Sequence, residues 1–292
     1  TTSSTKAWPL DGTPAVASEY VIPVTHLQDF ARCPVCYRDA RRFGLSPARA
    51  AGSEWREEPL ILAGDLGPMG DPRARGSAAH RLLETVPLSE WGTPALQLEV
   101  ALSEQAWAEG LRPGARETSE VVGRVSGFLQ TRFARACSER GEGLVQRELP
   151  FLLRLQEGGS GEPAIFLKGT MDLLVEEAGG VVSVVDYKSG RPTAAGLLPY
   201  RFQLSAYALA AWELSGRRAR VRAGVSFLSE AHPEPCWDEA LPHPEALAEV
   251  LTKQARALVQ TLIGHGPVTL PSTSDCPVHG EQAAADAPGT GA

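Results

Sequence analysis

The sequence predicts one α/β domain with a helical insertion. Three observations lead there: helical periodicity up to about residue 140, short apolar strands between glycine turns over 144–187, and then helix, strand and helix to residue 263. Residues 1–20 are polar and irregular, with Pro9 and Pro14, and read as a flexible tether. Thr25-His-Leu-Gln28 has the form of a capping box, which predicts a helix from Thr25 towards Cys33. Pro34 interrupts that helix or opens a second one through Phe43. Residues 46–75, rich in Gly, Pro and charge, read as a surface loop. Gly76-Ser-Ala-Ala-His80 then leads into a short helix ending near Thr85.

Further helices fit 94–109 and 117–138, the second with Val121, Val125, Phe128, Leu129 and Phe133 on one face. The sheet core follows over about 144–230. Its strands 144–155, 164–176 and 181–187 are separated by the hairpin signals Glu157-Gly-Gly-Ser-Gly161 and Ala178-Gly-Gly180. Leu197–Leu214 returns to helical period, Arg220–Leu228 fits a last strand, and Glu245–Ile263 forms a long amphipathic helix. The expected domain is 21–279, with the Ala-, Gly- and Pro-rich 280–292 as a disordered tail.

Composition narrows the function classes. No apolar run reaches the length of a membrane span, and the N-terminus lacks a signal-peptide pattern, so a cytoplasmic protein without membrane partners is expected. The chain starts Thr-Thr-Ser-Ser and not with Met, as a processed protein or a domain excised from a larger polypeptide would. A net charge of −7 argues mildly against a nucleic-acid binder, although metal-binding carboxylates count as negative only until a cation joins them. Of 28 basic residues only Lys6, Lys168, Lys188 and Lys253 are lysine. Arginine suits bidentate phosphate contacts, but this bias reads more simply as genome composition.

The chemistry gathers at Asp186-Tyr187-Lys188, which closes the apolar strand Val181–Val185. Alternation along a strand sends Asp186 and Lys188 to one face and Tyr187 to the other. Asp172 lies on the preceding strand. A turn centred near residue 179 sets it opposite Asp186, so two carboxylates and one ammonium share a small region. Hard oxygen ligands of this kind hold Mg²⁺ or Mn²⁺ for phosphodiester hydrolysis, with a lysine to orient water or stabilise the transition state. A lone Asp-x-Lys reads first as a surface salt bridge between neighbours. Asp172 and the scarcity of lysine weigh against that simpler reading.

Gly76-xxx-His80, Glu148-Leu-Pro-Phe151, Gly169-Thr-Met-Asp172, Asp186-Tyr-Lys188 and Gln203-xxx-Tyr207, after an opening Leu27-xx-Phe-xx-Cys-Pro34, occur in an order that resembles RecB-type PD-(D/E)xK nucleases. That family includes nuclease domains fused to AddA, AddB and RecB helicases and the related CRISPR adaptation nucleases. The resemblance implies a restriction-endonuclease-like core, a central mixed β-sheet flanked by helices. It implies His80, Asp172 and Asp186 as ligands of a catalytic Mg²⁺ or Mn²⁺, with the Tyr187 main-chain carbonyl as a further ligand. Lys188 would serve the attacking water, and Glu148 would sit near the metal or at a second one. Gln203 and Tyr207, one helical turn apart, would contact the DNA backbone or support Lys188. Taken alone, His80 is a structural or surface histidine, Glu148 a solvated strand residue, and Gln203 and Tyr207 the polar edge of a packed helix.

Cys33-Pro-Val-Cys36 and Cys276-Pro-Val-His279 make up a Cys3His set, the ligand type of a structural zinc. An iron–sulfur cluster closes some RecB-type nucleases in a comparable way, but the C-terminal group of three cysteines is missing here. The simpler reading packs Cys33 as a small hydrophobe. Cys137 and Cys236 are expected to be buried thiols. The function expected is a metal-dependent DNA nuclease acting on single strands beside a helicase motor, fused or in complex, in repair or recombination. A silent DNA-binding scaffold and a stand-alone repair or CRISPR-associated nuclease remain the alternatives.

Overall fold

A computed structural model of the chain describes residues 18–43, 72–108, 112, 114–159, 161–231 and 233–263. Its sheet is organised by β3 (Ala164–Glu177), a 14-residue strand that pairs antiparallel with β2 (Val145–Gln156) over nearly its whole length. Pro150 is tolerated inside β2 because, among the described residues, that strand has β3 as its single neighbour. The opposite edge of β3 is shared. There β1 (Glu19–Pro23) runs parallel to it as far as Lys168, and β4 (Val181–Lys188) runs antiparallel to it from Leu173 onward. Ile165 pairs with both Tyr20 and Gln156, and Leu173 with both Val185 and Arg147, which fixes β1 and β4 on one edge. Between them Gly169–Asp172 has no strand partner on that side among the described residues. The sheet forks there.

β5 (Arg220–Phe227) lies parallel to β4 in unbroken register from Val181↔Arg220 to Lys188↔Phe227. The crossover that a parallel pair requires is made by α7 (Arg201–Leu214), entered through a 3₁₀ turn at Leu198–Tyr200. A two-residue β6 (Cys236–Trp237) finishes the edge against β5. The sheet is therefore mixed, and helices cover both faces.

Alternation along β4 separates the two cores. Val182 and Val184 enter one with α1 (Val24–Arg32), α2 (Pro34–Phe43), α7 and α8 (Pro244–Ile263). Val185 and Tyr187 enter the other with α3 (Pro72–Thr85), α4 (Ala95–Ala108), α5 (Arg116–Leu129) and α6 (Arg132–Arg140). Each fully buried Leu, Val or Phe contributes about 1.5–3 kcal/mol. Phe128 centres the second core, edge-on to Trp91 at 5.8 Å and to Tyr187 at 5.0 Å.

β2 and β3 change core part-way along. Their odd-numbered residues Phe151, Leu153, Ile165, Leu167 and Met171 join the first core, whereas Val145, Leu173 and Val175 join the second. The changeover falls at Glu148 and Asp172, between the pairs Arg147↔Leu173 and Leu149↔Met171. Glu148 has φ 46, a left-handed backbone that a non-glycine residue adopts at a cost of about 1–3 kcal/mol. The ribbon rolls over at that pair.

Several expectations are corrected. Helix α1 starts at Val24 with Pro23 as its cap and no side-chain cap bond, because the chain passes straight from β1 into the helix and carries Thr25 inside the first turn. Glu19 and Tyr20, read as the end of a tether, belong to β1. Helix α3 begins at Pro72, whose fixed φ suits a first helical residue, and not after Gly76. The stretch 117–138 is two helices. Thr131 turns extended, and its hydroxyl accepts the Ala134 N–H at 3.1 Å, capping a new helix. Cys137 is buried as expected, but Cys236 is exposed, since β6 is a sheet edge. Most of the loop expected at 46–75 and the tail 280–292 lie outside the described residues. Among the described residues no helix is long and apolar enough to cross a membrane.

Candidate active site

Both strand ends deliver carboxylates to the fork. The β3–β4 ladder closes at Leu173↔Val185, so Asp172 and Asp186 stand one step beyond its last pair, as the turn at Gly179-Gly180 predicts. Where backbone pairing stops, a side chain replaces it: the Tyr187 N–H donates to Asp172 Oδ2 at 2.7 Å. Glu148 stands across from Asp172 on β2, at the position turned to φ 46.

His80 arrives from the helical insertion. Arg147, next to Glu148, donates to the carbonyl oxygens of Leu83 (3.5 Å) and Val86 and so ties the end of α3 to β2. His80 Nε2 lies 3.2 Å from the Tyr187 carbonyl oxygen. Its Nδ1 lies 3.6 Å from Asp172 Oδ2 and 3.8 Å from Glu148 Oε1. The Tyr187 ring, on the opposite side of β4 from Asp186 and Lys188, packs edge-on to His80 at 5.7 Å and holds it in place.

Lys188 and Asp186 form the other half. Lys188 Nζ lies 2.8 Å from Asp186 Oδ2 and donates to Gln203 Oε1 at 3.3 Å. Gln203 in turn donates to the Tyr207 hydroxyl at 2.7 Å. Of the two arrangements expected for the Gln203-xxx-Tyr207 pair, the one that supports Lys188 is formed. Tyr200 adds a face for the ammonium, its ring 5.5 Å from Nζ. The sequence reading overlooked Tyr200, although its spacing from Gln203 and Tyr207, i, i+3 and i+7, places all three on one helical face.

The electrostatics follow from burial. Asp172 is 8% exposed, and desolvation pushes its carboxyl up to about 7, with His80 opposing and Asp186 and Glu148 adding to the rise. Burial likewise holds the Tyr187 and Tyr207 phenols well above their ordinary value, so both stay neutral. Asp186 is 1% exposed, and although Lys188 is near, no donor among the described residues meets its Oδ2 at a hydrogen-bonding angle.

This donor set fits a hard divalent cation. Ligand atoms of His80, Glu148 and Asp172 lie within 4.8 Å of one another. An imidazole with several carboxylates is a set that Mg²⁺ and Mn²⁺ accept. The buried Asp186 carboxylate, held by Lys188 at 2.8 Å, adds a further oxygen donor to the same end of the strands. The three-residue cluster contains Glu148 where the sequence reading put Asp186, which sits next to it in its ion pair with Lys188.

The Cys3His set is described in part. Cys33 is buried in α1–α2, and the Cys36 N–H donates to its Sγ at 3.4 Å. Cys276 and His279 lie outside the described residues.

Comparison with known proteins comes down to one family. The sequence pattern of the PD-(D/E)XK nuclease superfamily matches residues 22–279, a span that takes in every residue of the site. No curated protein is significantly similar in sequence. A solved structure described as "Crystal structure of SSO0001" is similar at 12% identity, covering 65% of this chain and 86% of its own, with a TM-score of 0.32, too loose a likeness to bear on function.

Proposed function

The chain belongs to the PD-(D/E)XK nuclease superfamily, and from that premise we propose that it is a divalent-metal-dependent DNA nuclease acting at the fork of its sheet. The observation that carries the reading is the cluster of His80, Glu148 and Asp172 ligand atoms within 4.8 Å of one another, next to the ion pair of the buried Asp186 with Lys188. His80, Asp172, Asp186 and the Tyr187 carbonyl, with Glu148 adjacent, would hold Mg²⁺ or Mn²⁺. When bound, that cation neutralises charge at the phosphate and lowers the pKa of a water. Lys188, steadied by Gln203 and Tyr207, orients the attacking water and offers positive charge to the transition state. Asp186, 2.8 Å from Nζ, holds that ammonium in place.

The finer reading is of a module, residues 21–279, that cuts single-stranded DNA beside a helicase motor in repair or recombination. It rests on the order of motifs that this chain shares with RecB-type nucleases. The net charge of −7 agrees with it, because a motor that holds the strand relieves the nuclease of supplying the affinity. The silent-scaffold alternative is disfavoured by the costly burial of Asp172 and Asp186, which a scaffold has no use for. The test is cleavage of a labelled single strand with Mg²⁺ or Mn²⁺ and with chelator, for the unaltered chain, Asp186→Ala and Lys188→Ala. Metal-dependent cleavage lost in both variants is expected; cleavage retained in both sinks the assignment.

A further inference from the structure

Among the described residues, most partly buried arginines meet a carboxylate: Arg75 meets Glu120, Arg147 meets Glu142, Arg201 meets Asp238 and Arg222 meets Glu177. Arg124 does not. It is half-buried on α5, and among the described residues no carboxylate oxygen comes within 4.0 Å of it. Its contact is one hydrogen bond, 3.4 Å from Nη1 to the Ser189 carbonyl oxygen. A guanidinium has five donors in a planar fork, so one long bond leaves most of that fork unspent.

The place of that contact matters. Ser189 follows Lys188 directly, and the next residue is fixed too, since the Ser229 hydroxyl donates to the Gly190 carbonyl. Two residues of strand rise, roughly 7 Å, separate Ser189 from Tyr187, whose carbonyl faces His80. Arg124 thus touches the main chain one residue past Lys188, and among the described residues it makes no hydrogen bond to a side chain of the site.

A second observation comes from the helix itself. Gly123, in the interior of α5, is exposed, and a Cβ added to it would meet nothing within 4 Å. Glycine there weakens the helix relative to alanine without any packing reason among the described residues. Among the described residues, a bare backbone next to an arginine that meets no carboxylate leaves room for another molecule to approach closely.

We infer that Arg124, with Gly123 beside it, receives the phosphate next to the one being cleaved, on a nucleic-acid strand that passes over the exposed Gly123 face of α5 next to the Lys188–Gly190 turn. The inference rests on the nuclease reading and adds a substrate-binding residue to it. The contact is to backbone phosphate, so it acts alike on all sequences.

The experiment measures binding of a fluorescein-labelled mixed-sequence single strand by anisotropy in chelator, over a range of salt, alongside KM and kcat with Mg²⁺. Arg124→Gln lowers affinity roughly tenfold and shrinks the slope of log K against log salt by about 0.7, the loss of one phosphate contact on a single strand. KM rises by more than kcat falls. Arg124→Lys restores the slope but not the full affinity, because an ammonium lacks the planar fork. Gly123→Ala raises Tm by roughly 2–4 °C and weakens binding in the same protein. A purely structural Arg124 predicts a lower Tm with unchanged salt slope, and that result overturns the inference while metal-dependent cleavage by the unaltered chain keeps the nuclease reading. No cleavage and no binding by the unaltered chain removes both.

Discussion

Replacing Asp172 by asparagine should make the metal-free protein more stable. The folded state raises this carboxyl from its ordinary 3.8 to about 7, because the group is buried next to Asp186 and Glu148. A raised carboxyl binds its proton more tightly folded than unfolded. The folded chain is therefore favoured below about pH 4 and loses that advantage as pH rises towards 7. The gap between 3.8 and about 7, at 1.36 kcal/mol per pH unit, sets a ceiling of about 4 kcal/mol on the loss. An asparagine side chain cannot ionise, yet its amide oxygen can still accept the Tyr187 N–H that Asp172 accepts at 2.7 Å. Recovery of about 1–2 kcal/mol at pH 8 corresponds to a Tm rise of roughly 2–8 °C for a domain of this size. Thermal melts in chelator at pH 5 and pH 8 measure it, and Mg²⁺ or Mn²⁺ titrations complete the test. The unaltered chain gains about 2.7 kcal/mol at a metal concentration one hundred times Kd, and Asp172→Asn gains much less. A variant less stable than the unaltered chain at pH 8 in chelator, or equally stabilised by metal, refutes the reasoning.

The same carboxyl shapes the pH profile of activity. Ligation needs the anion, so at limiting metal, cleavage should fall about tenfold per pH unit below 7 and recover as Mg²⁺ is raised; a flat profile from pH 5 to 7 contradicts this. Arg147→Ala removes the donors that hold the end of α3, and with it His80, against β2. A loss of about 1–3 kcal/mol in thermal unfolding is expected, together with weaker metal-induced stabilisation; an unchanged response to metal would mean that His80 is placed by other contacts.

The parts of the site built by local chain geometry were legible in the sequence. Two glycines at 179 and 180 set the register of the β3–β4 hairpin, and with it the meeting of Asp172 and Asp186. Alternation in β4 sorted Asp186 and Lys188 from Tyr187. Long-range arrangements were hidden. His80 is 107 residues from the carbonyl it touches; the motif order named it, but the packing of α3 against α5, α4 and β2 that brings it there could not be read from local pattern. β1 is five residues long and gains strand character from parallel pairing to a partner far along the chain. The left-handed Glu148 leaves no trace in a sequence that simply continues as a strand. At Thr131 the apolar period runs across the break, and the cap that causes it depends on a single hydroxyl.

The gap in β3 between β1 and β4 has a bearing on how such proteins change over generations. Because the Asp172 side chain stands in for a strand partner, the position needs an oxygen acceptor to complete the sheet and, on the proposed function, a negative charge to hold the metal. An aspartate-to-asparagine exchange separates the two needs with little change of shape. A lineage that drops the reaction can therefore keep the architecture intact and even gain stability. If the proposed reaction is right, decay into a non-cleaving descendant is the downhill path at this residue, and selection for cutting is what holds the carboxylate in place.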